Sequence, residues 1–380
     1  MKKPITLMLC ALACWTYSPR LLSDNAQDVV VHFSDDTPRA SSYFNSFRNI
    51  PLSAPSDEAV FKHAERLLFA RGRIFVVDRV GNKILMFDEK GDFLKSTAKM
   101  IGDGDHAYRR VIDAAVDAEG GKLYVHCDAP YQMMILDLDL NVKEVIPMDY
   151  YMSEMTIDDG FVYGLCHHTK EKKNIGYSLV AVPKDRLDEA PDTLLSHDKG
   201  VAGLLAGGKS LNACSDGVYA SLAFDNTIYH IAHGKILNQY AIDFGEKGLR
   251  AHPIPEGMNR EQFREQYKDI NWAITNVCGS DSILMFNTNL TTNYILNKHT
   301  GECKGVKAFG CDMSKWTMSH FTPSQGLRHG MVYALSPFIF SEFKKFVQEE
   351  GAKLVDPEML KTAQESKPGG NPMLIVWEIK

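Results

Sequence analysis

Two stretches of this chain align without a gap at an offset of 49 residues: RIFVVDRVGNKILMFDEKGDF (73–93) and KLYVHCDAPYQMMILDLDLNV (122–142). Ile74-Phe75 falls on Leu123-Tyr124, and Ile84 to Asp88 falls on Met133 to Asp137. Each stretch reads as a β-rich strand, a polar turn, a second apolar strand, and a turn of Asp, Asn, Gly or Lys. The unit recurs in FVYGLC (161–166) with YSLVAV (177–182), in GVYASLAFDNTIYHI (217–231) and in SILMFNTNLTTNYILN (282–297). A last copy begins with MVYALS (331–336) and is completed, after an insertion, by PMLIVWEIK (372–380). Strand-built units repeating about every fifty residues are the signature of a β-propeller.

The expected fold is therefore all-β: a six-bladed β-propeller over 44–380, each blade supplying four strands. One four-stranded sheet has two apolar faces and cannot bury both alone. Stacking blades around an axis buries both, which explains the uninterrupted apolar run Ile84-Leu85-Met86-Phe87. A β-sandwich would show no such period. The final unit lacks an outer strand, and FNSFRNIPL (44–52) is expected to supply it and close the ring. DVVVHF (28–33), within a linker and edge strand over 14–43, is expected on the outside. Ile339, Phe340, Phe343, Phe346 and Val347 share one helical face, and Asp356-Pro357 starts a second helix, so 338–366 reads as a small helical insertion in blade six.

Gly102, Gly104 and Ala107 match the G-x-G-x-x-G/A spacing of a dinucleotide-binding turn. That turn needs a helix after it, whose N-terminus holds the pyrophosphate. Here VIDAAVDAEGGKLYV follows, which reads as strand, turn and strand, and Asp103 and Asp105 would repel phosphate. The glycines are instead expected at a sharp crossing between units.

The same segment, IGDGDHAYRRVIDAAVD, resembles the G-x-G-P-G-E-Y segment of the six-bladed propeller family of bacterial envelope lipoproteins, relatives of NHL-type propellers. RNIPL, the first repeat and NPMLIVWEIK are similar to that family too, over roughly 22–380. The resemblance implies the fold and an envelope binding role. It implies no chemistry, because Asp105-His106-Ala107 replaces the family's Pro-Gly-Glu.

The start of the chain fits export. Lys2-Lys3 precede an apolar run, giving a signal peptide over 1–13, and ALAC (11–14) resembles a lipoprotein box with Cys14 as the lipidation site. The remaining cysteines are scattered without a CxxC pair, against a zinc ribbon or a disulfide-dense scaffold. The formal charge of −6 and the lack of a basic run argue against nucleic acid, and membrane contact is expected only through the lipid anchor.

No G-x-S-x-G, H-E-x-x-H or P-loop pattern occurs. His167 and His168 are adjacent, point to opposite faces on a strand, and are read as a solvated turn. Propeller ligands sit where the inner strands converge at the channel mouth. Tyr108, Arg109, Tyr151, Asn212, Trp272 and His320 are the ligand candidates there, with His63, Arg110, Tyr150, Lys209, Asn271 and Arg328 on the same segments. Aromatic faces with Arg, Asn and His suit a glycan or a peptide. The leading reading is a non-catalytic binding propeller exported to the cell envelope, with no cofactor. The alternatives are a channel-metal-dependent lyase or lactonase-type enzyme, for which His63 and His320 lack a third ligand, and a scaffold that docks an envelope protein.

Overall fold

A computed structural model describes residues 26–170, 174–197, 209–307, 309–310, 312–313, 325–336 and 370–380, with scattered positions in 338–365. The N-terminal strands are β1 (Ala26–Phe33) and β2 (Phe44–Pro51). The first sheet holds β3 (Arg66–Ala70), β4 (Arg73–Asp78), β5 (Lys83–Asp88) and β6 (Phe93–Ser96). The second holds β7 (Arg110–Asp117), β8 (Lys122–Asp128), β9 (Gln132–Asp137) and β10 (Val142–Pro147). In the third are β11 (Glu154–Asp158), β12 (Phe161–Lys170), β13 (Asn174–Pro183) and β14 (Asp192–His197). Next come β15 (Leu211–Cys214), β16 (Gly217–Ser221), β17 (Thr227–Ala232) and β18 (Lys235–Asp243), then helix α1 (Arg260–Gln266). They are followed by β19 (Ile274–Gly279), β20 (Ile283–Thr288), β21 (Asn293–Asn297) and β22 (Cys303–Val306). The last sheet joins β23 (Gln325–Leu327), β24 (Gly330–Leu335) and β25 (Met373–Ile379) to β2.

The period-2 pattern explains how these sheets stack. Along β4, Phe75 and Val77 enter a layer shared with Val111, Leu123 and Met134 of the second sheet. The alternate residues, Ile74 and Val76, enter a layer shared with Val332, Leu374 and Val376 of the last sheet. Each such side chain contributes roughly 1.5–3 kcal/mol by leaving water. The same alternation continues sheet by sheet, through Tyr163 with Val218, and through Met285 with Met331 and Trp377. The innermost strands touch in a closed circuit, β3 to β7, β11, β15, β19, β23 and back to β3. The chain is an all-β propeller.

Turn chemistry separates the strands. Asp88 accepts the backbone N–H groups of Lys90 and Asp92, and Asp137 accepts those of Asp139 and Asn141, so equivalent turns of two sheets close the same way. At the crossing to the second sheet, Gly102 (φ 148°) and Gly104 (φ 145°) adopt backbone that L-residues avoid.

Several expectations need correction. The sheets are not six separate four-stranded blades. Among the described residues, four sheets have four strands, and one has nine, ordered β15-β16-β17-β18-β1-β22-β21-β20-β19. Strand β1 lies on the outside, as expected, but it is paired on both sides and is not an edge strand. It pairs in parallel with β18 (Ala26 opposite Gln239 to Val30 opposite Asp243) and then with β22 (Val31 opposite Cys303 to Phe33 opposite Gly305). Neighbouring sheets splay apart with distance from the axis, and β1 fills the gap at the rim, burying Val29 and Val31. The one helix described from end to end is α1, between β18 and β19, rather than an insertion near the C-terminus. Residue Asn259 caps it with a full capping box, and Phe263 anchors it. Most of 338–366 lies outside the described residues. His167 and His168 lie on β12, opposite Tyr177 and Gly176, not in a turn.

Strand β2 pairs antiparallel with β25, Phe47 opposite Trp377 and Ile50 opposite Leu374, so an early strand completes the sheet that holds the final one.

Candidate functional site

The inner strands all begin at one end of the axis, here called the upper end. Below that end the axis is filled by charge. Arg66 of β3 and Asp113 of β7 are each 2% exposed. Arg66 Nε donates to Asp113 Oδ1 at 2.7 Å and its Nη2 to Oδ2 at 2.7 Å, the bidentate fork that suits guanidinium and carboxylate. A bulge between Val111 and Asp113 breaks the alternation of β7 there.

Side chains on the axis also bond the backbone of the neighbouring strand. Asp113 Oδ2 accepts Met155 N of β11 at 2.9 Å, and Glu154 Oε2 accepts Ser210 N, beside β15, at 3.0 Å. Asn212 Nδ2 donates to Val277 O of β19 at 3.0 Å. Gln325 of β23 clamps both backbone groups of Leu67 in β3, each at 2.9 Å. At the lower end Arg328 donates to Asp158 and to Cys214 O.

Burial sets the protonation of this network. It pushes the carboxyl of Asp113 up, but Arg66, Lys209 and the Met155 N–H together outweigh burial and the net shift is downward, so Asp113 stays ionised. For Glu154 burial wins over Lys209 and Arg66, and its pKa is raised.

Above this floor lies a partly open mouth. Tyr131, in the β8–β9 turn, is 47% exposed. Its ring stands edge-on to Tyr151, centroids 6.0 Å apart, and Tyr151 in turn leans on buried His126 at 5.7 Å. His126 Nδ1 lies 2.9 Å from Met152 O, and Nε2 has no partner among the described residues. Burial holds this ring below the usual histidine range, so it is neutral. Arg79, Arg110 and Asp128 all lie within electrostatic reach of Tyr151. Glu65 closes the near side, taking Lys209 Nζ at 3.0 Å and facing His63 Nδ1 at 3.3 Å.

The candidates read from the sequence are dispersed. Tyr151 lines the mouth. Tyr108 is buried, its hydroxyl 2.6 Å from Thr97 Oγ1. Arg109 lies on the surface, held by Asp103 at 2.9 Å. Asn212 is buried on the axis as a strand latch. Trp272 stacks on Phe224 at 5.3 Å and meets Phe263 of α1 edge-on, within an apolar layer. His320 and Cys14 lie outside the described residues, as does the signal segment. Sequence reasoning missed Arg66, Asp113, Glu154 and Tyr131. For Asp113 a signal exists, because a carboxylate inside the apolar run VIDAAV has to find a partner.

No group of three or more His, Cys, Asp or Glu side chains among the described residues is placed to hold a metal ion. The mouth offers flat aromatic area, guanidinium donors and carboxylate acceptors. Such groups are of the kind that suits polar molecules with flat faces.

A predicted exported protein of Bacteroides fragilis NCTC 9343 superposes with a TM-score of 0.62 at 14% identity, covering 93% of this chain and all of that one. BamB of Moraxella catarrhalis gives 0.40 at 9% identity, over 67% of this chain and 65% of BamB. The WD40 propeller domain of Doa1 gives 0.38 at 14% identity, over 78% of each. No curated protein matches the sequence. A family model does match, over residues 28–378, and the chain belongs to that family, described as a domain of unknown function (DUF4934).

Proposed function

We propose that this protein is a non-catalytic binding propeller of the cell envelope, taking a sugar at its upper mouth. The observation that carries the reading is the exposed Tyr131 ring set against Tyr151 beside Arg79 and Arg110. Below the mouth, Arg66 and Asp113 are bonded to each other or to neighbouring strands, so they serve as a rigid floor. Tyrosine presents a large flat face at low entropic cost, and guanidinium supplies directed donors to hydroxyl groups. Export is supported by Lys2-Lys3, the apolar run after them and the exported class of the Bacteroides fragilis relative. Cys14 is the proposed lipid attachment point.

An oligosaccharide array followed by calorimetry tests the binding reading. Tyr131→Ala and Tyr151→Ala should each weaken the best array hit by about 1–3 kcal/mol, as anchor residues do. Thermal melting of the Tyr131 variant should stay within the range of an ordinary surface change. Full affinity in both variants would move the site to another part of the molecule.

A further inference from the structure

Among the described residues, Arg79 is a mouth cation whose donors meet no acceptor within hydrogen-bond distance. It sits in the β4–β5 turn, 38% exposed. The turn is fixed from beneath by buried Asp78, which accepts the N–H groups of Lys62 and Gly81 at 3.0 and 2.9 Å. Among the described residues, the carboxylate that Arg79 approaches is Glu65, at 3.7 Å, outside hydrogen-bond distance. That same oxygen already accepts Lys209 at 3.0 Å. The neighbouring cations are matched: Arg66 by Asp113, Lys209 by Glu65, Arg109 by Asp103 and Arg110 by Asp128.

A half-buried guanidinium with free donors, within electrostatic reach of Tyr151, which itself meets Tyr131 edge-on, calls for a planar anion. We infer that the ligand of the upper mouth is an acidic sugar, a uronic-acid residue, whose carboxylate is taken by Arg79 while its ring lies against Tyr131 and Tyr151. The uronate carboxylate projects from the edge of the sugar ring. A ring laid on an aromatic face therefore presents it sideways, toward a cation on the rim. The guanidinium fork matches a carboxylate with two parallel bonds, which neither a hydroxyl nor a lysine reproduces. This inference rests on the mouth being the sugar-binding face.

The test uses the full chain and four probes: tri-galacturonate, its carboxyl-reduced counterpart galactotriose, and one peptide with a free or an amidated C-terminus. Uronate should bind at least about tenfold more tightly than the reduced sugar, a difference of about 1.4 kcal/mol. Arg79→Gln should erase that preference by weakening tri-galacturonate at least about tenfold more than galactotriose, and leave the melting curve unchanged. Arg79→Lys should recover only part of the preference, and high salt should reduce it. Equal binding of the two sugars would overturn the carboxylate and leave the mouth as the sugar site. Unchanged uronate binding in Arg79→Gln would overturn the anchor. Failure of tri-galacturonate to bind, or binding of the free-carboxyl peptide alone, would overturn the uronate inference. Unchanged binding of both sugars in Tyr131→Ala and Tyr151→Ala would overturn the sugar-binding reading itself.

Discussion

Asp113 shows how one residue can be half legible. Its carboxylate interrupts an apolar strand, so the sequence says that it needs a partner. The partner, Arg66, lies 47 residues earlier and meets it only when two sheets converge on the axis. No local pattern carries that pairing. The pair leads to a stability prediction. Asp113→Ala should destabilise the fold by about 3–5 kcal/mol, because buried Arg66 loses its bidentate carboxylate and keeps Glu154 only at 3.7 Å. The double variant Arg66→Met, Asp113→Leu should cost clearly less. Urea unfolding of the three proteins measures both. The pH dependence follows from the directions of the shifts. Asp113 is held below its ordinary 3.8, so its contribution is complete above that value and is lost as pH falls through the lower folded value. Glu154 is raised above its ordinary 4.5, so it acts in the opposite sense, favouring the fold below 4.5 and losing that contribution as pH rises through its folded value. Asp113→Asn should therefore flatten the acid limb of the stability curve, and Glu154→Gln the limb above 4.5. Tyr131 was not legible, since an aromatic in a turn looks the same in sequence whether it faces a mouth or open solvent.

At the scale of elements, strands were easy to read and their partners were not. The run DVVVHF is plainly β-forming, but three consecutive valines do not tell that Val29 and Val31 are buried and Val30 exposed. Nothing in it says that Val29 will pair with β18 and Val31 with β22, because parallel partners over two hundred residues away leave no local mark. Helix α1 was missed for a related reason. Its seven residues, REQFREQ, offer one apolar anchor, too little for a helical period to show. The element-scale prediction concerns β1. Removing residues 26–33 would leave the edges of β18 and β22 unpaired and uncover the apolar layer under Val29 and Val31. The truncated protein should melt at a lower temperature and self-associate through those edges. Scanning calorimetry with light scattering at several concentrations checks it, and a monomer with unchanged melting would show that β1 is dispensable.

For the whole molecule, the repeat carried most of the information. A unit of strand, turn and strand, repeated along the chain, forces both faces of each sheet into contact with neighbours, and the propeller follows. How the units join their hydrogen bonds is a separate matter that periodicity does not reach. Closure depends on β2 lying beside β25 and on Gln325 bonding Leu67 across the junction. Truncation through Pro51 should therefore lower the cooperativity of unfolding everywhere, not only in the last sheet, as followed by hydrogen exchange on β4 and β24. The place of β1 has a mechanical consequence. A pull along the chain from Ala26 would run lengthwise between two parallel neighbours. It would load the bonds to β18 together, in shear, instead of peeling them one after another. The load would then spread into eight further strands of the same sheet, making this rim the sturdiest handle by which such a wheel could be held.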